Sequence, residues 1–169
     1  MELHAPSLTL RTVDDSDINE VARMWEWQDG PISAEKAQEA ILWMQSNHEM
    51  NKQGYIYHLC FAISETGTNK TIGWCGLDGQ CSPEKTVLFY SIHSDYQGRG
   101  YATQCTNKLF EHAFESIGMQ QIDGGCYKDN IASYRVMEKA GMILLGYDKE
   151  SGDPHFYIDK KIYFDNKKL

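Results

Sequence analysis

The sequence lacks long apolar runs and has few basic side chains. No apolar stretch approaches the roughly 18 residues that would suggest a membrane helix, and 16 basic side chains stand against 24 acidic ones. The formal charge of −8 argues against general binding to nucleic acid or to an anionic membrane. The start, MELHAPSLTLR, has no basic stretch followed by a long apolar segment, as a signal peptide would. We therefore expect a cytoplasmic protein that binds neither nucleic acid nor membranes.

Paired cysteines and repeats are also missing. The cysteines number five, an odd count, and no C-x-x-C pair occurs among them, so neither a disulfide framework nor a zinc site is indicated. We expect reduced cysteines and no metal. There is no internal repeat and no linker rich in Pro, Gly or Ser. With 169 residues, the chain is predicted to form a single domain over residues 1–169.

Hydrophobic periodicity predicts a mixed α/β fold. An antiparallel meander is joined to strand–helix–strand crossovers, which favours a mixed sheet of about seven strands with helices on both faces. The predicted order is a strand at 8–12, helices starting near Ile18 and after the cap Ser33, strands at 57–63, 71–77 and 86–92, a helix from Ala102 to Ile117, a strand at 121–127, a helix from Ile131 to Ala140, and strands at 143–147 and 156–164. Gly118 and Gly141 are predicted to end the last two helices.

A glycine loop joins the strand 86–92 to the following helix. Gly98 and Gly100 permit backbone conformations that other residues resist, and the amides at a helix N-terminus can hold a phosphate or pyrophosphate. A tight turn without a ligand is the alternative interpretation. The dinucleotide fingerprint fails because its third glycine position holds Thr103. The P-loop pattern also fails, because Gly100 is followed by Tyr101 and Ala102.

Two ordered segments resemble the GNAT superfamily of N-acetyltransferases. The stretch Gln97-Gly98-Arg99-Gly100-Tyr101-Ala102 is similar to the acetyl-CoA loop, Gln/Arg-x-x-Gly-x-Gly/Ala. About 30 residues later, the stretch Asn130 to Met142 resembles the N-x-x-S-x-x-V-x-E-K-x-G-F/M segment of the ribosomal-protein N-terminal acetyltransferases. The likeness spans nearly the whole chain and implies a GNAT fold, with a mostly antiparallel sheet that splays between its fourth and fifth strands.

The resemblance also implies a set of site residues. The backbone amides of Gln97, Gly98, Arg99, Gly100, Tyr101 and Ala102 would hold the pyrophosphate of acetyl-CoA. Main-chain groups of Ile92 and His93 would bind the pantetheine arm, and Asn130 would contact it from the opposite side. Ser133 matches the position of a hydroxyl near the CoA sulfur and is the candidate general acid. The alternative is that the Ser133 hydroxyl only bonds a helix carbonyl or CoA.

The sequence departs from the family at two catalytic positions. Many members carry a Tyr four residues after the Ser133 position, where this chain has Met137, predicted to pack in the core. Many relatives of this branch carry a Glu at the start of the fourth strand, where this chain has Val87. A water relay could replace that base, with Glu84 or His93 as weak substitutes.

The expected reaction is direct acetyl transfer in a ternary complex. The resemblance favours a protein or peptide N-terminal α-amine as acceptor, and the α-amino pKa of about 7.7–8.0 eases deprotonation. A small amine of the polyamine or antibiotic type, and a CoA-binding module without transferase activity, stay open. So does a homodimer through the C-terminal hairpin. Trp25, Trp27 and Trp43 lie on the two early helices and are expected to pack rather than to bind substrate.

Overall fold

A computed structural model describes residues 1–24, 31–82 and 85–168. Within these ranges the chain forms eight strands and five α-helices. The strands are β1 Glu2–Ala5, β2 Leu8–Thr12, β3 His58–Glu65, β4 Thr71–Ser82, β5 Lys85–Ile92, β6 Gln121–Gly125, β7 Ile143–Tyr147 and β8 Pro154–Asp159. The helices are α1 Ile18–Met24, α2 Ala34–His48, α3 Tyr101–Glu111, α4 Ile131–Lys139 and α5 Lys160–Asn166.

All strands join one sheet in the order β1-β2-β3-β4-β5-β6-β8-β7. The β5–β6 pair is parallel and the other neighbours are antiparallel. Between β5 and β6 the described residues pair in register only at Val87 and Asp123. The sheet therefore opens after Val87, as the resemblance implied, and leaves a cleft beside the second half of β5.

Helices cover both faces of the sheet, as predicted. On one face, Val21 of α1 and Ile41 of α2 are buried in a small apolar cluster with Ala62 of β3. On the other face, α3 and α4 pack over the larger core, in which Phe110 and Met137 are almost fully buried. The burial of Met137 confirms the prediction that it packs in the core. The two clusters leave space on each face of β5 for a cavity.

The predicted helix boundaries follow their capping residues. The Ser33 hydroxyl accepts a hydrogen bond from the Lys36 amide at 3.3 Å and caps α2. After α3, the chain continues as a π-helix, His112–Ile117, which ends at Gly118 with φ 79°. Gly141 follows α4 and also has a positive φ, 79°. These positive φ values are the left-handed conformation that glycine adopts without strain.

Three sequence predictions are wrong in detail. The strand predicted over 156–164 ends at Asp159, whose carboxylate accepts from the Ile162 amide at 2.7 Å and caps α5. The short edge strand β1, with no buried residue, was not predicted because its alternation covers only four residues, with Leu3 and Ala5 as its apolar members. The loop expected around Gly79 is part of β4, because the Gly79 amide donates to the Tyr57 carbonyl at 2.9 Å.

Candidate active site

The glycine loop leaves the amides at the start of α3 without a side-chain cap. Gly98 and Gly100 have φ values of 75° and 78°, and Gly100 occupies the N-cap position with no side-chain hydrogen bond. A Cβ built on either glycine meets no atom within 4 Å. The backbone conformation, rather than crowding, is what requires glycine here. Uncapped amides and the helix dipole together form a binding place for an anion.

Side chains hold the loop from outside. The Gln97 amide nitrogen donates to the Ile92 carbonyl at 2.8 Å, which ties the loop to the end of β5. Arg99 donates to the Asp95 carbonyl at 3.0 Å and lies over the Tyr96 ring. The Tyr101 hydroxyl donates to Glu65. These contacts fix the loop. The Gln97 backbone amide donates to the Ser94 carbonyl at 3.2 Å, so the amides that follow it are the ones placed to face a ligand.

A groove of about 580 Å³ runs along the loop, the end of β5 and the start of α4. The predicted site residues that line it are Ile92, Gln97, Gly98, Gly100, Tyr101, Ala102, Asn130 and Ser133. The groove also includes Arg135 and Lys139, two basic side chains that the sequence reasoning did not single out. We call this space the loop groove. Arg99 is not among its lining residues, because its side chain is held by Glu65, Asp95 and Tyr96.

His93 lies beside the loop groove but is absent from its lining. Its amide donates to the Ile72 carbonyl and its carbonyl accepts from the Tyr96 amide, both at 2.9 Å. Its ring accepts from the Asp95 amide at 3.3 Å. Main chain and ring therefore stabilise the turn after β5, and the contact of His93 with a pantetheine arm stays a prediction.

Asn130 and Ser133 meet at the N-terminus of α4. The Asn130 side-chain oxygen accepts from the Ser133 amide at 3.0 Å and caps the helix. Ser133 is half-buried, and its carbonyl accepts a hydrogen bond from the Tyr90 hydroxyl at 3.2 Å. Burial raises the pKa of Tyr90, so the phenol stays protonated at neutral pH. Tyr90 was missed by the sequence reasoning, because strand periodicity does not show which residue reaches across to a helix.

A second cavity, of about 560 Å³, lies on the opposite face of the sheet, between α1, α2 and strands β3, β4 and β5. We call it the acceptor cavity. Aromatic side chains form much of its wall: Trp43, Trp74, Phe89 and Tyr90. Tyr90 and Ser91 line both this cavity and the loop groove. The two spaces therefore meet at β5, so molecules bound in each can come into contact there.

The polar part of the acceptor cavity is a cluster of His58, Asp78 and Gln80. The His58 Nδ1 atom lies 4.0 Å from the Asp78 Oδ2 atom and 3.4 Å from the Gln80 amide nitrogen. Gln80 also donates to the Asp78 carboxylate from its backbone amide at 2.9 Å and from its side chain at 3.1 Å. Burial lowers the pKa of His58, which favours the neutral imidazole at pH 7.

Several predictions about this face have mixed outcomes. Trp43 packs edge-on against His58 at a centroid distance of 4.7 Å, and it remains 43% exposed as part of the cavity wall. Trp25, Trp27 and Glu84 lie outside the described residues.

Within the described ranges, every helix is too short or too polar to cross a membrane. The same ranges hold no group of three or more His, Cys, Asp or Glu side chains that could bind a metal.

Comparison with known proteins identifies a family for this chain. The sequence profile described as an acetyltransferase (GNAT) domain matches residues 7–143. The uncharacterized N-acetyltransferase YnaD of Bacillus subtilis is 38% identical over 59 residues, and this alignment spans 35% of each chain. The profile match covers most of the sequence and includes the loop, β5 and α4.

Solved structures with low sequence identity share the fold. RimL, a ribosomal L7/L12 α-N-protein acetyltransferase in complex with coenzyme A, superposes with a TM-score of 0.78 at 18% identity, over 94% of this chain and 98% of that one. A spermidine N-acetyltransferase SpeG chimera from Vibrio cholerae and hSSAT gives 0.73 at 16% identity, over 94% and 99%. The same architecture thus occurs in proteins with protein and polyamine acceptors.

Proposed function

Because the chain belongs to the GNAT acetyltransferase family, we propose that it transfers an acetyl group from acetyl-CoA to a primary amine. The main support is the meeting of two cavities at Tyr90 and Ser91, one beside a glycine loop and one on the opposite face. A two-substrate transfer needs such an arrangement, because the amine must approach the thioester from a direction that the CoA does not occupy. We further propose a single domain over residues 1–169 and a cytoplasmic location.

The loop groove is the proposed binding place of acetyl-CoA. The amides of residues 97–102 would hold the pyrophosphate at the positive end of α3. The pantetheine arm would lie along β5 in the opening after Val87, where extended chains bind by strand-like hydrogen bonds. Arg135 and Lys139 add positive charge to the groove, which suits a ligand with several phosphates.

The reaction needs a deprotonated amine and a protonated leaving group. The amine nitrogen attacks the thioester carbonyl and loses one N–H proton to solvent or a nearby base, the carbon–sulfur bond breaks, and the thiolate takes a proton. Ser133 remains our proposed donor, since it lines the groove beside α4. The Tyr90 hydroxyl, which bonds the Ser133 carbonyl, is a second donor within the same site. Positioning of the two substrates supplies much of the expected rate enhancement.

We propose an N-terminal α-amine of a protein or peptide as the first acceptor to test. Support comes from the resemblance of the segment from Asn130 to Met142 and from the RimL neighbour, which acts on a ribosomal protein. A small-molecule amine is the second candidate, favoured by the 560 Å³ volume of the acceptor cavity and by the spermidine acetyltransferase neighbour. A CoA-binding module without transferase activity would bind the thioester but release no CoA in the presence of amines.

The first experiment is isothermal titration of acetyl-CoA into the wild type and Gly100→Trp. Gly100 lines the loop groove, so a bulky side chain there should weaken binding by at least about 100-fold. Gly54→Trp is the matched control: Gly54 has the same backbone strain, with φ 74°, open space around its Cβ position, and no place in the groove. Absence of wild-type binding would refute the proposal. Release of free CoA with an amine then separates a transferase from a binding module.

A further inference from the structure

The walls and the charge of the acceptor cavity indicate the chemical class of the amine. We propose that it binds a monoamine attached to an apolar or aromatic body, and that His58, with Asp78 beside it, takes the proton that this amine must lose. This inference rests on the proposed acetyltransferase function and assigns it a substrate class and a proton acceptor.

The walls of the cavity suit an apolar body. Aromatic rings from α2, β4 and β5 face a space that is also lined by aliphatic or sulfur-containing side chains of α1 and α2, such as Val21 and Met44. The polar side chains are confined to the cluster of His58, Asp78 and Gln80 and to Ser91. Rings of this kind bury large apolar areas and also attract a cation over their faces. A flexible polar chain would lose water here without forming replacement hydrogen bonds. The cavity therefore favours an amine whose remaining atoms are mostly carbon.

The charge of the cavity suits one cation. Among the described residues that line it, Asp78 is the single carboxylate. Its side chain is 21% exposed, so its field is only partly screened by solvent. One carboxylate can neutralise one ammonium group, whereas a triamine such as spermidine would bring two further positive charges against apolar walls. The cavity is thus better suited to a monoamine than to a polyamine.

His58 is the group best placed to accept a proton. It is 5% exposed and lies between the Trp43 ring, at 4.7 Å, and the Phe89 ring, at 5.8 Å between centroids. Phe89 precedes Tyr90, which lines both cavities. Asn51 holds the His58 backbone by accepting from its amide at 3.2 Å and donating to its carbonyl at 2.8 Å. The ring is therefore fixed at the wall of the cavity, stacked against Phe89 of β5.

The groups around His58 keep it neutral before the reaction. Burial lowers its pKa, the His48 imidazole of α2 lowers it further, and the Asp78 carboxylate of β4 acts in the opposite direction. On β3, burial raises the pKa of the Cys60 thiol to about 12, so this thiol remains protonated and uncharged. A neutral imidazole can accept a proton, and the resulting imidazolium then lies 4.0 Å from Asp78 Oδ2.

In the proposed reaction, proton loss from the amine precedes acetyl transfer. The acceptor enters as an ammonium ion, its N–H bond breaks, and the proton passes directly or through one water to the unprotonated ring nitrogen of His58. The amine lone pair forms the new N–C bond while the C–S bond breaks and its electrons go to sulfur. The nitrogen, positively charged after the attack, loses its second proton to solvent and becomes the amide nitrogen. The thiolate takes a proton from the Ser133 or Tyr90 hydroxyl, which regains one from solvent, and His58 later releases its proton to solvent.

The test combines an amine panel with variants of the cavity. The probes are 2-phenylethylamine, spermidine, and the dipeptide amides Phe-Gly and Lys-Gly, each assayed by CoA release from acetyl-CoA. We expect kcat/KM for 2-phenylethylamine and Phe-Gly amide to exceed the values for spermidine and Lys-Gly amide by about 10-fold. Higher kcat/KM for spermidine would overturn the assignment of substrate class and leave the acetyltransferase proposal standing. Release of CoA with none of the four amines would overturn both.

The role of His58 is tested by a pH profile. In the wild type, kcat/KM should fall as the pH drops below the His58 pKa, because the imidazolium cannot accept a proton. His58→Gln should lower kcat by about 10- to 100-fold and remove this acid limb. Asp78→Asn should raise KM for the monoamine and leave the affinity for acetyl-CoA within about threefold. An unchanged acid limb in His58→Gln would overturn the assignment of His58.

Two further variants keep the test independent of folding defects. His112→Gln is the matched control, since His112 is a half-buried histidine whose pKa burial also lowers, but it lines a different cavity. It should leave the profile unchanged. Trp43→Ala removes a partly exposed wall residue and should weaken binding of 2-phenylethylamine to the protein saturated with CoA, measured by calorimetry. Unchanged affinity in Trp43→Ala would overturn the proposed seat of the acceptor.

Discussion

The loop groove and the acceptor cavity are built in different ways. The loop groove presents the backbone amides of one glycine loop beside side chains of α4, and its residues come from two segments, 90–103 and 130–139. The acceptor cavity consists of side chains from α1, α2, β3, β4 and β5, which are up to 70 residues apart from Val21 to Ser91. A site formed by backbone amides tolerates substitutions at positions other than its glycines. A site formed by side chains can change its ligand specificity when any residue of its wall is substituted.

The largest effect is expected from replacing Asp17, which holds the chain at the start of α1. This helix lines the acceptor cavity and does not line the loop groove. Asp17 is 1% exposed, accepts two hydrogen bonds from Arg11 at 2.7 and 2.8 Å, and accepts one from the Thr71 hydroxyl at 2.8 Å. Asp17→Ala leaves the Arg11 guanidinium without its buried partner and should lower the free energy of unfolding by about 3 kcal/mol. Urea denaturation measures the change.

The control for this variant is Asp15→Ala, because Asp15 is exposed and accepts one hydrogen bond, from Gln38 at 3.0 Å. It should change the unfolding free energy by no more than about 0.5 kcal/mol. If α1 supports the acceptor cavity and not the loop groove, Asp17→Ala raises KM for the amine by a larger factor than it raises the dissociation constant for acetyl-CoA. Equal losses for both ligands would show that the two sites depend on α1 alike.

A smaller effect is expected where the two sites meet. Tyr90→Phe removes the hydroxyl that donates to the Ser133 carbonyl. If this hydroxyl delivers a proton to the thiolate, kcat falls by about 10-fold while acetyl-CoA affinity stays within about threefold. Tyr101→Phe is the control, since its hydroxyl donates to Glu65 outside the reaction centre. Steady-state kinetics with full activity in Tyr90→Phe would leave Ser133 as the single proposed donor.

The smallest effect is expected for Arg99→Ala. This variant tests whether the backbone of the glycine loop, rather than the Arg99 side chain, binds acetyl-CoA. The Arg99 side chain is held by Glu65, the Asp95 carbonyl and the Tyr96 ring, away from the groove lining. Arg99→Ala should therefore leave acetyl-CoA affinity within about threefold, since an exposed ion pair contributes about 0–1 kcal/mol. A loss of affinity as large as that expected for Gly100→Trp would show that the groove depends on this side chain. Calorimetric titration at two salt concentrations makes the comparison.

The same difference explains what the sequence could predict. The glycine loop, the Ser33 cap and the Gly118 stop are local patterns, and the structure has the elements that they predict. The strand β1 was missed because its alternation is only four residues long, and the helix α5 was missed because the aromatic and β-branched residues of 156–164 are typical of one strand. Elements made by local residue chemistry are therefore easier to predict than those that depend on partners elsewhere.

The acceptor cavity could not be predicted because it depends on strand register. His58 lies opposite Asp78 in the β3–β4 pair, although 20 positions separate them in sequence, and a register shift occurs between Ile63 and Ser64. A slip of one residue would turn Asp78 to the other face of the sheet. Asp78 is also opposite Val87 in the β4–β5 pair, so a carboxylate lies across from the position where many relatives carry Glu. Single-sequence reasoning had noted only the missing residue.

Tyr90, with its neighbour Ser91, forms part of the wall of both sites, and this shared wall has a thermodynamic consequence. If acetyl-CoA shifts the Tyr90 ring and thereby changes the affinity for the amine by some factor, the amine must change the affinity for acetyl-CoA by the same factor. The two binding equilibria are then reciprocal. A preference for binding one substrate before the other would then arise from the Tyr90 ring. The size of that preference would measure how strongly each substrate shifts the equilibrium between two orientations of the ring.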